Sequence, residues 1–212
     1  IQDQQVIVGQ NVDTALMQLA VAYERSGKKK LALRYLTILL DQYSAPTSHL
    51  PLALTEQGRL AFESDDLKTA RAAFERFIAE DIKDEEPFKS NAAKQRIRVM
   101  YYLGWVDARE GMNDSAVKRF GQVADIDKDH MLAPDAVLQQ GIAWIKQGDF
   151  KAAAAHFPLV QKQYPEHGKM ERVIYYTGFS QARLKDWANA ATEFKKLIAT
   201  YPASELADRA LY

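Results

Sequence analysis

One phrase recurs five times along this chain: a small residue, an alanine twelve positions later, and an aromatic residue or leucine four positions after that. It reads Ala20, Ala32, Leu36; Gly58, Ala70, Phe74; Gly104, Ala116, Phe120; Gly141, Ala153, Phe157; and Gly178, Ala190, Phe194. A period in the thirties requires a stack of like supersecondary units, each burying its apolar faces against its neighbours. A chain of this kind presents extended surfaces and is poorly suited to a single deep catalytic pocket.

Each unit reads as two helices joined by a tight turn. In the fourth, Val137, Gln140, Gly141 and Trp144 follow a three-then-four spacing, Gly148-Asp149 interrupts, and the helical pattern restarts over 152–160. Gly27, Gly111 and Gly148 stand where a positive φ ends the first helix, and Asp65 and Lys185 hold that place in the other two units. Pro165 and Pro202 follow Tyr164 and Tyr201 and stop the second helix, since proline lacks the required donor. Gly104, Gly141 and Gly178 are expected to let the first helix approach the second closely, against the flat surface of its alanine. Phe120, Phe157 and Phe194 are expected to fill the space between one hairpin and the next.

The pattern resembles the tetratricopeptide repeat. Met100, Leu103, Gly104, Ala116 and Phe120 carry the likeness in the third unit, Val137, Gly141, Trp144, Ala153, Phe157 and Pro165 in the fourth, and Ile174, Gly178, Ala190, Phe194 and Pro202 in the fifth. The first unit departs from it with Ala20 and Leu36, and the second lacks the closing proline. The resemblance implies an all-α, right-handed superhelical solenoid whose function is protein–protein interaction. It places a lead-in over 1–10 and the array over 11–212, with units at about 13–46, 51–84, 97–130, 134–167 and 171–204, then a partial sixth over 205–212. Ala116, Ala153 and Ala190 are spaced by 37, whereas Ala70 and Ala116 are 46 apart. The surplus includes the charged stretch 81–87, closed by Pro87, and predicts a longer loop or a break within 81–96.

Composition narrows the function classes. Lys plus Arg equals Asp plus Glu at 28 each, so no global field recruits nucleic acid or an anionic membrane. The absence of cysteine removes disulfides, thiolate metal sites and thiol catalysis. His49, His130, His156 and His167 are scattered without metal-ligand spacing, and no phosphate-binding glycine loop is present. The expectation is therefore a chain without catalytic residues, metal or cofactor. No window reaches the roughly 18 apolar residues that a membrane span needs. The start Ile1-Gln2-Asp3 reads as that of a mature or excised segment of something longer. The end reads as the middle of a repeat, with Leu206, Ala210 and Leu211 covering the last hairpin and Tyr212 in the place of Tyr176, which leaves self-association through the chain ends open.

By the resemblance, the concave groove is lined by Arg59 and Phe62; Arg98, Tyr101, Trp105 and Arg109; Leu138 and Ile142; and Arg172, Tyr175, Phe179 and Arg183, with Met17, Val21 and Ile145 at related positions. Arginine and aromatic residues on one helix face are the composition enriched at binding hot spots. The expected partner is another protein or a peptide segment. The subset of the family that clamps chaperone C-termini with lysine and asparagine is not resembled, because Met17 and Val21 stand at those positions. The Tyr-Pro connections are similar to those of bacterial cell-envelope members, which implies a periplasmic scaffold within an envelope or motility complex. A cytoplasmic peptide-binding adaptor and an accessory domain of an enzyme are the alternatives.

Overall fold

A computed structural model of the chain describes residues 12–42, 48–83, 85 and 88–210. Among these, every regular element is an α-helix: α1 (Val12–Arg25), α2 (Lys29–Gln42), α3 (Leu50–Glu63), α4 (Leu67–Ile82), α5 (Phe88–Arg109), α6 (Asn113–Ile126), α7 (Ala133–Gln147), α8 (Phe150–Gln163), α9 (Met170–Arg183), α10 (Trp187–Thr200) and α11 (Glu205–Ala210). They form two compact units, one running to Val106 and the other from Asp107. In the first, α1 packs on α2, α2 on α3 and α3 on α4; in the second, consecutive helices from α6 to α11 pack on one another. The all-α class expected from the repeat is the one observed.

The turn inside each hairpin follows from one backbone conformation. Five residues have positive φ: Gly27, Asp65, Gly111, Gly148 and Lys185, the five positions that the repeat singles out. At φ +83° Gly148 turns the chain out of α7, and the amide of Asp149 then donates to the carbonyl of Trp144 at 2.9 Å. The next residue starts the second helix. Asp66, Asp149 and Asp186 accept from the amides of Thr69, Ala152 and Asn189, satisfying donors that a helix N-terminus leaves open. These aspartates cap three second helices, a role that the residue pattern alone did not single out.

The small residue of the repeat meets a ring. A Cβ built on Gly178 would lie 2.8 Å from Cε1 of Phe194, and one on Gly58 or Gly141 would sit closer still to Phe74 or Phe157. The aromatic residue of the second helix, not its alanine, therefore occupies the space that the glycine leaves. Phe157 is fully buried and also stacks on Tyr176 of the following hairpin, with centroids 5.9 Å apart, so it closes its own hairpin and seals the next. Leu138, Val173, Ile174 and Leu197 complete this core; Leu36, Leu54, Phe74, Phe77 and Leu103 are buried in the other unit.

Within the 81–96 stretch expected to hold a longer loop or a break, α4 ends at Ile82 and α5 begins at Phe88. Asp84, Glu86 and Pro87 lie outside the described residues, but helix resumes at Phe88, so α5 runs for 22 residues where α1, α3 and α9 have 14. The added turns hold because they bury something. Phe88 meets Phe77 edge-on at 5.2 Å, Ala92 is fully buried, and Arg96 clasps Asp81 with Nε at 2.6 Å and a terminal nitrogen at 2.8 Å. Phe88, Ala92, Val99 and Leu103 form one apolar stripe that the surrounding charges mask in the sequence.

Removing the ring or filling its seat should destabilise. Phe157→Ala is expected to cost ~3–5 kcal/mol and Gly141→Leu ~1–3 kcal/mol. Lys185→Gly should act in the opposite direction, by roughly 0.5–1 kcal/mol, because a side chain at positive φ is strained while glycine raises chain entropy. Denaturant titration measures all three; equal midpoints for Phe157→Ala and the parent would refute the packing assignment.

Candidate partner-binding surfaces

In the first unit, α1, α3 and α5 border an open cavity of about 470 Å³ lined by Met17, Val21, Glu24, Arg25, Leu52, Glu56, Arg59 and Arg98. Its floor is apolar and its walls are charged. Arg59 occupies the centre: it pairs with Glu24 from α1, with Glu56 at 2.6 Å one turn before it, and with Glu63 at 2.7 Å one turn after it. Burial works against its charge, but the three carboxylates outweigh that and hold the guanidinium firmly protonated. Lys29 joins Glu63 at 2.7 Å, and these two cations hold the Glu63 carboxyl below its ordinary range despite partial burial. Arg98 pairs with Glu56 at 2.7 Å.

Arg59 and Arg98, two arginines of the expected groove, thus already bind carboxylates of their own chain. The partners Glu56 and Glu63 stood three residues before and four after Arg59, a helical spacing legible in the sequence. Glu24 could be found only by aligning the repeats. On the same unit, Phe62 packs edge-on to Tyr102 at 5.7 Å and Tyr101 edge-on to Trp105 at 6.4 Å, with Tyr101 and Trp105 half-buried. Removing Arg59 should leave three carboxylates facing one another. Arg59→Ala is expected to lower stability by about 2–3 kcal/mol, read from denaturant midpoints, and no loss would show the network to be energetically idle.

The second unit presents aromatic rings. Tyr175 and Phe179, one turn apart on α9, stack at 6.2 Å; Phe179 meets Phe150 of α8 at 6.2 Å; and the Arg183 guanidinium lies 4.6 Å over the Phe150 ring. Tyr175 also touches Phe194 at 6.0 Å. Tyr175, Phe179 and Phe150 are half-buried, and Arg183 is exposed. Ile142 packs half-buried against this unit's core, and Arg109 is exposed at the end of α5. One groove expectation is corrected here. Leu138 has 0% exposure and is a core residue, since α7 turns that face inward. Arg172 lies on the side facing α11: it sits 5.9 Å over the Tyr176 ring and lines a cavity with Glu205, Leu206 and Arg209.

Three of the histidines make hydrogen-bond contacts within the fold. His49 Nε2 lies 3.0 Å from the Thr14 hydroxyl, and His130 Nδ1 accepts from the Leu132 amide at 3.2 Å. His156 Nε2 donates to the Val137 carbonyl at 2.7 Å with Trp144 edge-on at 4.9 Å. No group of three His, Asp or Glu side chains is placed to hold a metal ion among the described residues, and no described helix is long and apolar enough to cross a membrane.

Burial pushes the pKa of both His156 and His167 below the usual histidine value. The unfolded chain takes up protons near pH 6.5 that these folded imidazoles refuse, so stability should fall as pH drops through 6.5 toward their lowered values. Above pH 7 the contribution is flat. Melting temperatures between pH 7 and 5 should decline less for His156→Gln than for the parent, and parallel curves would count against the assignment.

A family model for the tetratricopeptide repeat matches residues 14–45, 135–167 and 172–204. No curated protein matches the chain. Among solved structures, YrrB, described as a tetratricopeptide-repeat protein with an unusual peptide-binding site, is similar at 19% identity and TM-score 0.74, over 95% of this chain and 94% of its own. A MamA protein is similar at 14% identity and TM-score 0.72, over 92% and 98%. MamA residues 41 to the end from Desulfovibrio magneticus RS-1 give 16% identity and TM-score 0.70, over 91% and 97%. At such identities the likeness is one of fold.

Proposed function

The chain is built of tetratricopeptide repeats, and we propose that it is a non-catalytic interaction scaffold or adaptor that holds a segment of another protein against the exposed faces of its first helices. The observation that carries this is the aromatic and cationic ladder of the second unit: Tyr175 and Phe179 of the first helix α9, half-buried and stacked, beside Phe150 of α8, half-buried beneath the exposed Arg183. Preformed rings offer large contact area at small entropic cost, and an exposed guanidinium beside them supplies direction by hydrogen bonding to carboxylates or carbonyls. Tyr101 and Trp105 give the first unit a second aromatic face. The likeness to YrrB supports an extended peptide segment as the occupant.

The Tyr164-Pro165 and Tyr201-Pro202 connections support a periplasmic place in a bacterial envelope or motility complex. Recovery of the native protein in the periplasmic fraction of its cells tests that compartment; recovery with the cytosol would favour a cytoplasmic adaptor.

The surface assignment is tested with peptides selected from a random library on the parent chain. Tyr175→Ala with Phe179→Ala, and separately Tyr101→Ala with Trp105→Ala, should weaken binding by tenfold or more, since hot-spot truncation commonly loses ~2 kcal/mol. Lys118→Ala with Lys195→Ala should leave it unchanged, with circular dichroism confirming the fold of each. Loss in the lysine variant and retention in both aromatic variants would place the binding surface elsewhere.

A further inference from the structure

Inside the second unit, two first helices end in a cation that no carboxylate of the chain holds. Lys146 stands in the last turn of α7 and Arg183 in the last turn of α9, each five residues after the glycine of its repeat. Both are exposed, and neither is in an ion pair among the described residues. The acids next to them are engaged elsewhere: Asp114 accepts from the Gln147 side-chain amide at 2.6 Å, and Asp149 and Asp186 cap α8 and α10 through the amides of Ala152 and Asn189. In the first unit the same register position on α3 is Glu63, which Lys29 and Arg59 already bind. The two units thus carry opposite charge at one place of the repeat. A helix C-terminus contributes roughly half a negative charge, which a full positive charge outweighs.

One turn before each cation stands an apolar side chain, Ile142 on α7 and Phe179 on α9. Both are half-buried: Ile142 packs against the core, and Phe179 lies between Tyr175 and Phe150 at 6.2 Å from each. α7 and α9 pack on each other, so their axes, and equivalent positions along them, are about 10 Å apart. An apolar pair therefore lies beside a cationic pair at one common interval. A polyproline II segment rises ~3.1 Å per residue with about three residues per turn, so its side chains three apart point the same way about 9 Å from each other. A β-strand returns a side chain to the same side every ~6.6 Å and misses that interval.

We propose that the second unit takes an acidic segment of its partner, two carboxylates three residues apart on Lys146 and Arg183, with an apolar side chain between them on Ile142 and Phe179. This rests on the reading of the first-helix faces as the binding surface and adds the chemistry of the occupant. The cations attract and orient the segment, and the apolar pair holds it.

Affinity selection from a random dodecapeptide phage library on the parent chain tests this, at about 50 mM salt, where exposed charges are screened least. The selected peptides should carry Asp or Glu at positions three apart, flanking an aliphatic or aromatic residue. Lys146→Gln with Arg183→Gln should weaken the strongest of them by about tenfold, as two partly exposed ion pairs supply. Circular dichroism should not change, because both side chains are exposed. Lys146→Glu with Arg183→Glu should reject that peptide and bind its counterpart with the two acids replaced by lysine, a reversal that a merely disturbed face would not produce. Peptides that depend on Tyr175 and Phe179 but carry no acidic pair, carry their acids two or seven apart, or bind the glutamine variant like the parent would overturn this proposal while leaving the binding surface where it is. Failure to recover any peptide that depends on Tyr175 and Phe179 would overturn both.

Discussion

The contact on which the rest of this structure depends is a phenyl ring resting where a side chain is missing. In each glycine-bearing hairpin with a described contact, the ring four residues after the alanine sits on the glycine of the first helix, at a distance that admits no Cβ. That seat fixes how closely the two helices approach and which turn of one faces which turn of the other. Once fixed, the opposite edge of the ring becomes part of the outer surface of the hairpin. It is there that Tyr176 stacks on Phe157 and Tyr102 on Phe74, so a single side chain sets both the geometry within a unit and its docking onto the next. Interiors packed at crystal density transmit such a constraint, because a ring cannot shift without opening a void.

The seat dictates spacing, but it leaves the chemistry of the outer rim free. At the first residue of the second helix, one register position contacts the following hairpin, and the chain fills it in different ways. Lys29 makes an ion pair with Glu63, whereas Phe150 lies under the guanidinium of Arg183. The partners Glu63 and Arg183 themselves occupy equivalent places. A rim interaction partly open to solvent contributes little in either form, so neither is required by the fold. The difference gives the two units different surfaces: in the first, charges that satisfy one another, and in the second, exposed rings and a cation.

Periodic features were legible in the sequence and singular ones were not. The five positive-φ positions could be named in advance, including the non-glycine Asp65 and Lys185, because the register of the repeat identifies them without reference to residue type. Residues 81–96 break the period, and there charge suggested a loop although Phe88, Ala92 and Arg96 had packing partners in Phe77 and Asp81. The groove residues were the least legible. A face of arginines reads as a binding surface until the carboxylates that it faces are known, and Glu24 reaches Arg59 from 35 positions away. Leu138 was misplaced through a smaller error: neighbouring positions of a helix point about a hundred degrees apart, and this one falls on the buried side.

These constraints bear on where specificity can arise. In the first unit, Arg59 and Arg98 are already bound to Glu24, Glu56 and Glu63, so a partner's carboxylate would have to displace an intramolecular one whose geometry is fixed by the helices that carry it. Such an exchange trades one charge-assisted bond for another and yields little net free energy, while an apolar segment can enter over Met17, Val21 and Leu52 without disturbing any pair. In the second unit the order is reversed. The exposed Arg183, seated on Phe150, keeps its outward donors beside Tyr175 and Phe179, so a carboxylate or carbonyl can be recognised there at the edge of a ring surface.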